Sequence, residues 1–513
     1  MKAILWLIIL AIACVATVAA QPQITANGVV NAASNAPVGW PNSSIAQGSI
    51  FSIYGINLGP PSSPALAFPL QTTLGGVSVQ VTSASGSVDA IPIFVGPKQI
   101  NAILPDGTPT GDATLTVTYN GQAGNAVLFQ VIAHSFGIFT TISAGYGDGV
   151  ITDAKGQLFF FDSPANPGDV ATVWGTGIGA SPGDDGSAPP QKVDMPNLPL
   201  SVYVGSQAAT VTYRGRSGFT GEDQINFVVP AGITGCFAPV AVEIGNVVSN
   251  FVTMPVAPSG KPCPDQPLIE PNLPVGSITL TRSTTMGTTA TTTDSGQAFF
   301  GSAQIASVSS DPLSLPADTC IGSLSVMARL YIPPQSLDAG PAITITGPNG
   351  TLQLNRSGAL GSAYSAQLGG GSGANAEPLY LSAGSYTASG PGGTQVGAFS
   401  QGFTIPQPLT WTNEGDISTV NRSAGLDLTW TGGDPNGTVE ITGGGPLFIC
   451  TARISDQHFT IPTFVLLSVA PTSATSTDSI WLGATSTTPF MATGIFGGSI
   501  SSNVTIVKNV IYQ

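Results

Sequence analysis

One eight-residue pattern occurs twice in this 513-residue chain and limits what the chain can fold into. The segment Gly48-Ser-Ile-Phe-Ser-Ile-Tyr-Gly55 returns as Gly168-Asp-Val-Ala-Thr-Val-Trp-Gly175, and the motif Gln99-Ile-Asn101 returns later as Gln224-Ile-Asn226. The side chains in both segments alternate between two faces with a period of two, which is typical of a β-strand. Because two motifs recur in the same order at similar spacing, the sequence predicts two homologous β-domains.

The glycine and proline content excludes long helices. The chain has 64 glycines and 42 prolines, about one residue in five, and each of them weakens or breaks a helix interior. With 42% hydrophobic residues, the chain can nevertheless bury a substantial core, unlike a disordered segment. The composition therefore predicts an all-β protein with many loops.

Each repeat contains further strand-like runs separated by turn signals such as Asn120-Gly121 and Gly245-Asn246. Seven or so short strands in about 110 residues are typical of an immunoglobulin-like β-sandwich. We expect the first sandwich at residues 21–133 and the second at residues 134–257.

The second half of the chain begins after a proline-rich linker, predicted at residues 258–274. Nine threonines between Thr279 and Thr293 indicate either an exposed strand with its loop, which we expect, or a glycosylated stalk. The triplet Leu409-Thr-Trp411 returns as Leu428-Thr-Trp430. We expect two further β-sandwich domains, at residues 275–406 and 407–513, with the boundary near Pro406.

Several motifs of the first half resemble an uncharacterised family of secreted acidobacterial (Solibacter-type) proteins. They are Val30-Asn-Ala-Ala-Ser34, Gly48 to Gly55, Leu74 to Val79, both Gln-Ile-Asn motifs, Asn166 to Gly179 and Val248-Ser-Asn-Phe-Val252. The resemblance covers about residues 24–257. It implies tandem domains similar to the IPT/TIG type of immunoglobulin-like fold, and it brings no activity or catalytic residues with it. The domain pair tends to lie at the C-terminal end of its host proteins, whereas here some 250 residues follow it. The second half is also similar to a module that accompanies this family.

The first twenty residues have the pattern of a secretory signal peptide. Lys2 precedes an apolar run from Ile4 to about Val18, and small residues lead to an expected cleavage after Ala20. The alternative is a lipoprotein signal with Cys14 as the lipidated residue. No later segment reaches the ~20 apolar residues of a membrane helix. We therefore expect a secreted or cell-surface protein whose mature chain has no transmembrane segment.

Four cysteines remain after that cleavage: Cys236, Cys263, Cys320 and Cys450. An even number in an exported chain favours disulfides, with three possible connectivities. We prefer Cys236 with Cys263 and Cys320 with Cys450, because the first two bracket one strand pair at the end of the second repeat. There is no Cys-x-x-Cys pair and the chain has only two histidines, so we expect neither a zinc site nor another cofactor.

The net charge of −14 arises from 13 basic and 27 acidic residues. No cluster of Lys and Arg is present to bind phosphates, so we do not expect a nucleic-acid partner. Three groups of loop acids offer oxygen ligands for Ca²⁺: Asp184 with Asp185, Asp106 with Asp112, and Asp148 with Asp153. The EF-hand spacing is absent, so solvated loop acids are the preferred interpretation.

Two short motifs match enzyme patterns. Ser181 lies in Gly179-Ala-Ser-Pro-Gly183, the Gly-x-Ser-x-Gly pattern of serine hydrolases, but the Gly-, Asp- and Pro-rich residues 183–190 leave no helix after it. Gly175-Thr-Gly-Ile-Gly179 lacks the helix that a dinucleotide site requires. His134 and His458 are isolated. Paired carboxylates meet only in three dimensions, so a secreted glycan hydrolase stays a third hypothesis, but we expect no enzyme.

Tryptophans are the remaining candidates for binding. Flat aromatic faces can stack on sugar rings, and Trp40, Trp411, Trp430 and Trp481, together with Tyr380 and Tyr386, are candidates for such a platform. The alternative is that these residues belong to the core. The sequence thus predicts a non-catalytic secreted or surface protein for adhesion, matrix interaction or display, with an unknown protein or polysaccharide partner. The second hypothesis is a carbohydrate-binding protein.

Overall fold

The structure is a computed structural model. It describes residues 21–181, 185–186, 192–257, 261–263, 273–302, 305–306, 315–322, 330–331, 335–357, 363–371, 376–445 and 447–513. The predicted signal peptide with Cys14, and most of the predicted linker, lie outside these ranges. Within them, no helix has the length and apolar character needed to cross a membrane.

Residues 21–133 form an immunoglobulin-like β-sandwich, which we call domain 1. Its strands are β1 (Gln23–Asn31), β2 (Ile45–Ala46), β3 (Ile50–Ile56), β4 (Thr73–Leu74), β5 (Val77–Ser83), β6 (Gly86–Val95), β7 (Gln99–Ile103), β8 (Gly111–Tyr119) and β9 (Gln122–Ile132). They follow the order β1-β3-β7-β6-β5-β8-β9-β2. The predicted alternation is present on β3, where Phe51 and Ile53 are fully buried in the core of the sandwich while Tyr54 faces outwards.

Domain 2 repeats this plan from residue 134 to 257. Its strands are β10 (Gly137–Ile138), β11 (Ile151–Thr152), β12 (Val170–Thr176), β13 (Val193–Asp194), β14 (Leu200–Val204), β15 (Gln207–Arg216), β16 (Asp223–Val228), β17 (Gly235–Ile244), β18 (Val247–Val248) and β19 (Val252–Val256). β12 pairs with β16 as β3 pairs with β7, which places the two Gln-Ile-Asn motifs at equivalent positions. The predicted homology of the two domains is therefore visible in their pairing.

The two domains differ at their first strand. In domain 1, the single strand β1 pairs with β3 through Ile24 and Val29. In domain 2, the same two positions belong to the separate strands β10 and β11, which both pair with β12. Residues 139–150 lie between β10 and β11 and form an additional loop, which we call the insertion loop.

The described residues from 273 to 513 form one C-terminal module of strands with a single short α-helix and two 3-10 helices, Glu414–Asp416 and Ile454–Asp456. The elements are β20 (Pro274–Met286), β21 (Thr291–Ser302), β22 (Ile305–Ala306), β23 (Thr319–Gly322), β24 (Leu330–Tyr331), β25 (Gln335–Ser336), β26 (Ala342–Gly347), β27 (Gly350–Ser357), β28 (Ala363–Gly370), β29 (Gly384–Gly390), β30 (Phe399–Ile405), β31 (Thr410–Trp411), β32 (Thr419–Val420), β33 (Leu426–Thr431), β34 (Thr438–Gly443), β35 (Phe448–Arg453), β36 (His458–Ile461), α1 (Thr463–Leu467), β37 (Asp478–Phe490) and β38 (Gly497–Tyr512). β20 and β21 form a hairpin across the threonine-rich segment, so the predicted exposed strand is present there.

One large sheet crosses the boundary that the sequence predicted near Pro406. β20 pairs in parallel with β38 from Val275 opposite Gly497 to Met286 opposite Lys508. Two cores lie on the inner face of this sheet, and Phe490 and Ile500 pack into the core that contains Ile278. The segments 275–406 and 407–513 therefore share a sheet and a core. The sequence did not indicate this, because a parallel pairing of distant strands leaves no local sign in it.

Both predicted disulfides are present. Cys236 of domain 2 is bonded to Cys263, which follows that domain, with a sequence separation of 27. Cys320 is bonded to Cys450 across the adjacent strands β23 and β35, with a sequence separation of 130. The preferred connectivity is thus confirmed.

Domain 2 packs directly against the C-terminal module. The ring of Tyr203 stacks on the ring of Phe464 from α1, with centroids 4.0 Å apart, and Phe251 lies 6.0 Å from the same ring. Val248 and Phe251 belong to the same apolar cluster as residues of the C-terminal module. This seam is apolar, so burial of hydrophobic surface stabilises it.

We expect that removing residues 497–513, which contain β38, unfolds the whole large sheet, including the strands before residue 406. β20 would lose its parallel partner, and Ile278 would lose its cross-strand neighbour Ile500. Hydrogen exchange of the full chain and the truncated chain tests this. Retained protection of the β20 and β21 amides in the truncated chain would contradict the shared sheet.

We expect the disulfide Cys320–Cys450 to stabilise the protein more than Cys236–Cys263. The loop-entropy model gives about 5 kcal/mol for the longer loop and about 3.5 kcal/mol for the shorter one. The measurement is calorimetric unfolding of the double variants Cys320→Ser/Cys450→Ser and Cys236→Ser/Cys263→Ser. An equal or reversed ranking of the two losses would show that chain entropy does not set their contributions.

Candidate functional site

The four predicted tryptophans do not form a platform. Trp411 and Trp430 face each other on β31 and β33 and are only 3% and 1% exposed. Their indole nitrogens donate to Asn413 Oδ1 and to the Ile454 carbonyl oxygen, each at 3.0 Å. The stacking prediction is therefore wrong for these two residues, which are core residues whose polar atoms are satisfied within the module.

The other aromatic candidates lie apart from each other. Trp40 is half-buried in a turn of domain 1, whereas Trp481 on β37 is 46% exposed. Tyr380 and Tyr386 are buried in the C-terminal module. Trp481 alone among these candidates presents an open ring.

Ser181 is fixed by ionic groups. Its hydroxyl accepts a hydrogen bond from Arg216 Nε at 3.1 Å, and its backbone N–H donates to Asp106 Oδ2 at 3.0 Å. A guanidinium is a hydrogen-bond donor and cannot accept the proton of a nucleophilic serine. The hydroxyl also donates to Asp106 Oδ2 at 3.4 Å, but that carboxylate is itself paired with Arg216. The Gly-x-Ser-x-Gly match is therefore part of a contact between domains 1 and 2.

Arg216 is the centre of that contact, which we call the ionic junction. Its Nη1 lies 2.6 Å from Asp223 Oδ1 and its Nη2 lies 3.1 Å from Asp106 Oδ1 of domain 1. Nη2 also donates to the Gly179 carbonyl oxygen at 3.0 Å. The side chains of Arg216 and Asp223 are 6% and 0% exposed. Three of the four groups bonded to Arg216 belong to domain 2 and the fourth to domain 1, so one cation joins the two domains.

Burial changes the titration of these groups. Burial lowers the pKa of Arg216, but the charges of Asp223 and Asp106 raise it by more, so Arg216 stays charged. Burial raises the pKa of Asp185 to about 6, although the backbone N–H of Asp106 donates to its carboxylate at 2.8 Å. The charge of Asp106 contributes to this raised pKa of Asp185, whereas the charge of Arg216 opposes it. Asp185 therefore takes up a proton in mildly acidic solution.

The structure groups the loop acids differently from the sequence prediction. Asp106 lies beside Asp185 rather than beside Asp112. Arg216 already supplies a positive charge next to Asp106, where the sequence prediction placed a bound cation. The carboxylate of Asp153 accepts two backbone N–H groups of its own turn, and that of Asp148 accepts the hydroxyl of Thr253. Among the described residues, no three His, Cys, Asp or Glu side chains are arranged to hold a metal ion. Asp184 lies outside the described residues.

The two histidines have ordinary surroundings. His134 Nδ1 lies 2.8 Å from the carbonyl oxygen of Ile178, which requires the proton on Nδ1 because a carbonyl only accepts. This places His134 beside Gly179, closer to the Ser181 motif than the sequence indicated. His458 is exposed, with Nε2 3.5 Å from Asp427 Oδ1.

Two asparagines of the family-like motifs bond to backbone groups of domain 2: Asn31 reaches them from domain 1, and Asn250 fixes the insertion loop from within domain 2. The Asn31 amide donates to the carbonyl oxygens of Ser135 and Thr176, and its Oδ1 accepts the N–H of Ala33. Asn250 donates to the carbonyl oxygens of Ile138 and Gly145 at 3.0 and 2.9 Å. Both side chains are buried, so these two asparagines have a structural role. The repeated sequence motifs alone do not reveal that role.

The insertion loop lies against domain 1. Gly145 approaches the carbonyl oxygen of Ser34 so closely that a β-carbon there would collide with it, and its φ of +79° also favours glycine. The hydroxyl of Thr140 accepts the N–H groups of Ala144 and Gly145. Together with Asn250, these contacts hold the loop in one position over domain 1.

A groove of about 330 Å³, which we call the junction groove, lies between this loop and the Gln-Ile-Asn face of domain 1. Gln99 Nε2 and Ser52 Oγ both donate to Asn101 Oδ1, at 2.9 and 3.0 Å. Tyr54, which follows Ser52 on the same face of β3, is 37% exposed. Its hydroxyl lies 3.4 Å from Asn35 Oδ1.

Domain 2 contains the same polar arrangement in a closed form. Gln224 Nε2 and Thr172 Oγ1 donate to Asn226 Oδ1 at 2.7 and 3.1 Å. Gln224 and Thr172 are buried, and Trp174, at the position of Tyr54, donates its indole N–H to Thr152. The same motif is therefore structural in domain 2 and borders a groove in domain 1.

The outer face of the large sheet carries a second candidate surface, which we call the hydroxyl face. It consists of the outward positions on four adjacent strands: Trp481, Gly483, Thr485, Thr487 and Pro489 on β37; Ser499, Ser501, Asn503, Thr505 and Val507 on β38; Ser277, Thr279, Thr281, Ser283 and Thr285 on β20; and Thr291, Thr293, Ser295, Gln297 and Phe299 on β21. None of these positions carries a charge. Thr487 and Ser501 are cross-strand neighbours with hydroxyl oxygens 3.1 Å apart.

Arg216, Tyr54 and most of the hydroxyl face were not predicted from the sequence as functional candidates. A usable signal existed for Tyr54, because the repeat aligns it with Trp174 and pairs both with a Gln-Ile-Asn motif. The face had a partial signal in the threonine-rich segment, but its second half comes from β37 and β38, about 200 residues later.

No family model and no curated protein matches the sequence. Among solved structures, the chain is similar to the plexin A4 extracellular region, with 13% identity over 46% of this chain and 18% of that one and a TM-score of 0.18. The Bacteroides ovatus surface protein SGBP-B, from a mixed-linkage glucan utilization locus and solved with a mixed-linkage heptasaccharide, matches with 12% identity over 79% of each chain and a TM-score of 0.13. Domains 5–6 of the S-layer protein SbsC match with 15% identity over 46% of this chain and 99% of that one and a TM-score of 0.18. The chain spans only 18% and 34% of the two plexin A4 structures. These similarities concern the β-sandwich fold alone.

We expect the ionic junction to become less stable as the pH rises through 6. The pKa of Asp185 is about 6 when folded and 3.8 in its ordinary state, so its contribution is fully present below pH 3.8 and is lost as the pH rises through 6. Asp185→Asn should remove about 1 kcal/mol of the pH-dependent change in the free energy of unfolding, a figure reduced for solvent screening. Thermal unfolding between pH 5 and 7.5 measures it. The exposed Asp112→Asn is the matched control, and identical pH profiles for Asp185→Asn and the original chain would contradict the prediction.

Proposed function

We propose that this protein is a non-catalytic extracellular protein that adheres to neutral polymers through the hydroxyl face. The observation that carries the proposal is the face itself: four adjacent strands with uncharged and mostly hydroxyl-bearing outward side chains. The finer role, whether cell adhesion, matrix attachment or surface display, belongs to the same proposal.

A regular array of hydroxyls suits a polymer surface for a physical reason. Neighbouring strands are about 4.8 Å apart and successive outward residues on one strand about 6.7 Å apart, so donors and acceptors repeat at regular intervals. Burying neutral hydroxyls that regain hydrogen bonds costs much less than burying charges. Many weak contacts made together give tight retention even when each is weak.

An extracellular location fits the chemistry of the chain. Two disulfides are present, and such bonds persist mainly in oxidising compartments. Together with the signal-like first twenty residues, they support export. The resemblance to a secreted family agrees with this location.

The absence of catalysis is part of the proposal and rests on how the candidate groups are used. Ser181 and Asp106 are both bonded to Arg216, and Asp153 is bonded to its own turn. These contacts occupy the atoms that a nucleophile or a general base would need.

We expect purified residues 21–513 to be retained on insoluble neutral polymers such as cellulose, chitin or curdlan without releasing reducing ends. Thr487→Lys/Ser501→Lys places two cations in one row of the hydroxyl face and should weaken retention roughly tenfold or more, since binding would then desolvate charges. A pull-down with quantified unbound protein and a reducing-end assay provide both readouts.

The matched control is Thr82→Lys/Ser87→Lys, a cross-strand hydroxyl pair in domain 1 with oxygen atoms 2.9 Å apart. This control adds the same charge and should leave retention unchanged. Equal losses in both variants would place the contact elsewhere. Absence of retention on every polymer would refute adhesion to neutral polymers, and release of reducing ends would refute the non-catalytic role.

A further inference from the structure

We infer that the junction groove binds a neutral saccharide unit. This inference rests on the proposed function in taking the protein to be a binding protein, but it concerns a different surface in a different part of the chain. Its ligand is a single sugar residue or a short stretch of a soluble glycan. At about 330 Å³, the groove is at the small end of known small-molecule sites.

The lack of charged residues in the groove indicates the class of ligand. All twelve of its lining residues belong to the described part of the chain, and none of them is charged. An anion would find no cation to compensate it there, and a cation would find no carboxylate. The groove therefore suits a neutral ligand.

The polar groups of the groove suit a ligand with several hydroxyls. Gln99 and Asn101 present planar amides, which donate and accept at fixed geometry, and the Asn101 oxygen is already held by Ser52 and Gln99. These internal bonds fix the amide orientation before any ligand arrives. Such preorganisation reduces the entropy lost on binding.

The groove also offers an aromatic surface. Tyr54 is 37% exposed there, and Phe139 of the insertion loop lines the same groove. A sugar ring has an apolar face that packs on an aromatic ring and an edge of hydroxyls that bonds to amides. An apolar ligand would leave the amides unpaired, which is costly, so the combination favours a saccharide.

The comparison of the two repeats supports a role beyond packing. In domain 2, the glutamine of the same Gln, Asn and Ser/Thr arrangement is covered: Gln224 is buried, whereas its counterpart Gln99 is half-buried. In domain 1, the insertion loop reaches across from domain 2 but leaves an open space over Gln99 and Tyr54. The loop is fixed by Asn250 and by the close approach of Gly145 to Ser34, so the space does not depend on a movable lid.

The test is affinity electrophoresis of residues 21–513 in native gels that contain soluble mixed-linkage β-glucan, xyloglucan, galactomannan or dextran, with polygalacturonate as the anionic comparison. We expect at least one neutral glycan to retard the protein and polygalacturonate not to do so. Tyr54→Ala should weaken the retardation constant about tenfold or more, because the stacking surface is lost.

Three further variants make the result specific. Tyr54→Trp restores an aromatic ring, as domain 2 has at this position, and should recover most of the retardation. Gln99→Glu keeps the side-chain shape and should abolish retardation by introducing a charge, which keeps the inference testable if Tyr54→Ala fails to fold. Phe219→Ala, which removes an exposed ring of domain 2 that belongs to neither surface, is the control and should bind like the original chain.

The outcomes separate this inference from the proposed function. Trp481→Ala changes the hydroxyl face. Loss of retardation in this variant with full retardation in Tyr54→Ala would refute the groove as the binding site and assign soluble glycans to the hydroxyl face. Absence of retardation by all four neutral glycans would overturn the inference as well, whereas the proposed function would fail only on the insoluble polymers. Retardation by polygalacturonate alone would contradict the neutral character of the ligand.

Discussion

The buried charge of Arg216 is the interaction on which the arrangement of domains 1 and 2 depends. A guanidinium removed from water needs compensating charge, and Asp223 and Asp106 supply it from the two domains. Because leaving either carboxylate without its partner would be strongly unfavourable, the two sandwiches have one preferred contact. The position of the loop that carries Ser181 follows from that contact.

The second seam works by a different force. Domain 2 meets the C-terminal module through stacked rings and aliphatic side chains, where the gain comes from removing apolar surface from water. One seam is specific because charges must match, and the other is stable because area is buried. The two seams and the two disulfides hold the domains together, so partners can reach only the faces outside these contacts.

Local patterns in the sequence predicted much of the fold. Period-two alternation and the repeated motifs indicated both immunoglobulin-like domains, and the cysteine positions indicated both disulfides. The boundary near Pro406 misled because β20 and β38 pair in parallel from opposite ends of the module, and alternation says which face a residue occupies but not which strand lies beside it. Trp411 and Trp430 misled for a related reason: composition shows that a ring is present, whereas burial depends on what packs over it.

The candidate surfaces were less accessible to sequence reasoning than the fold. Tyr54 and Trp174 occupy the same register, and only the packing around them makes one a groove residue and the other a structural residue. Arg216 is one cation among thirteen in the sequence, and nothing near it in the chain reveals that Asp106 of the other domain is its partner.

The uncharged character of the hydroxyl face has a consequence for how the molecule approaches other surfaces. The chain carries a net charge of −14, and none of it comes from the twenty positions of this face. Close to an anionic surface, within the Debye length of about 8–10 Å, repulsion is smallest when the neutral side points towards that surface. The distribution of charge therefore orients the protein before contact, and this orienting torque weakens as salt screens it.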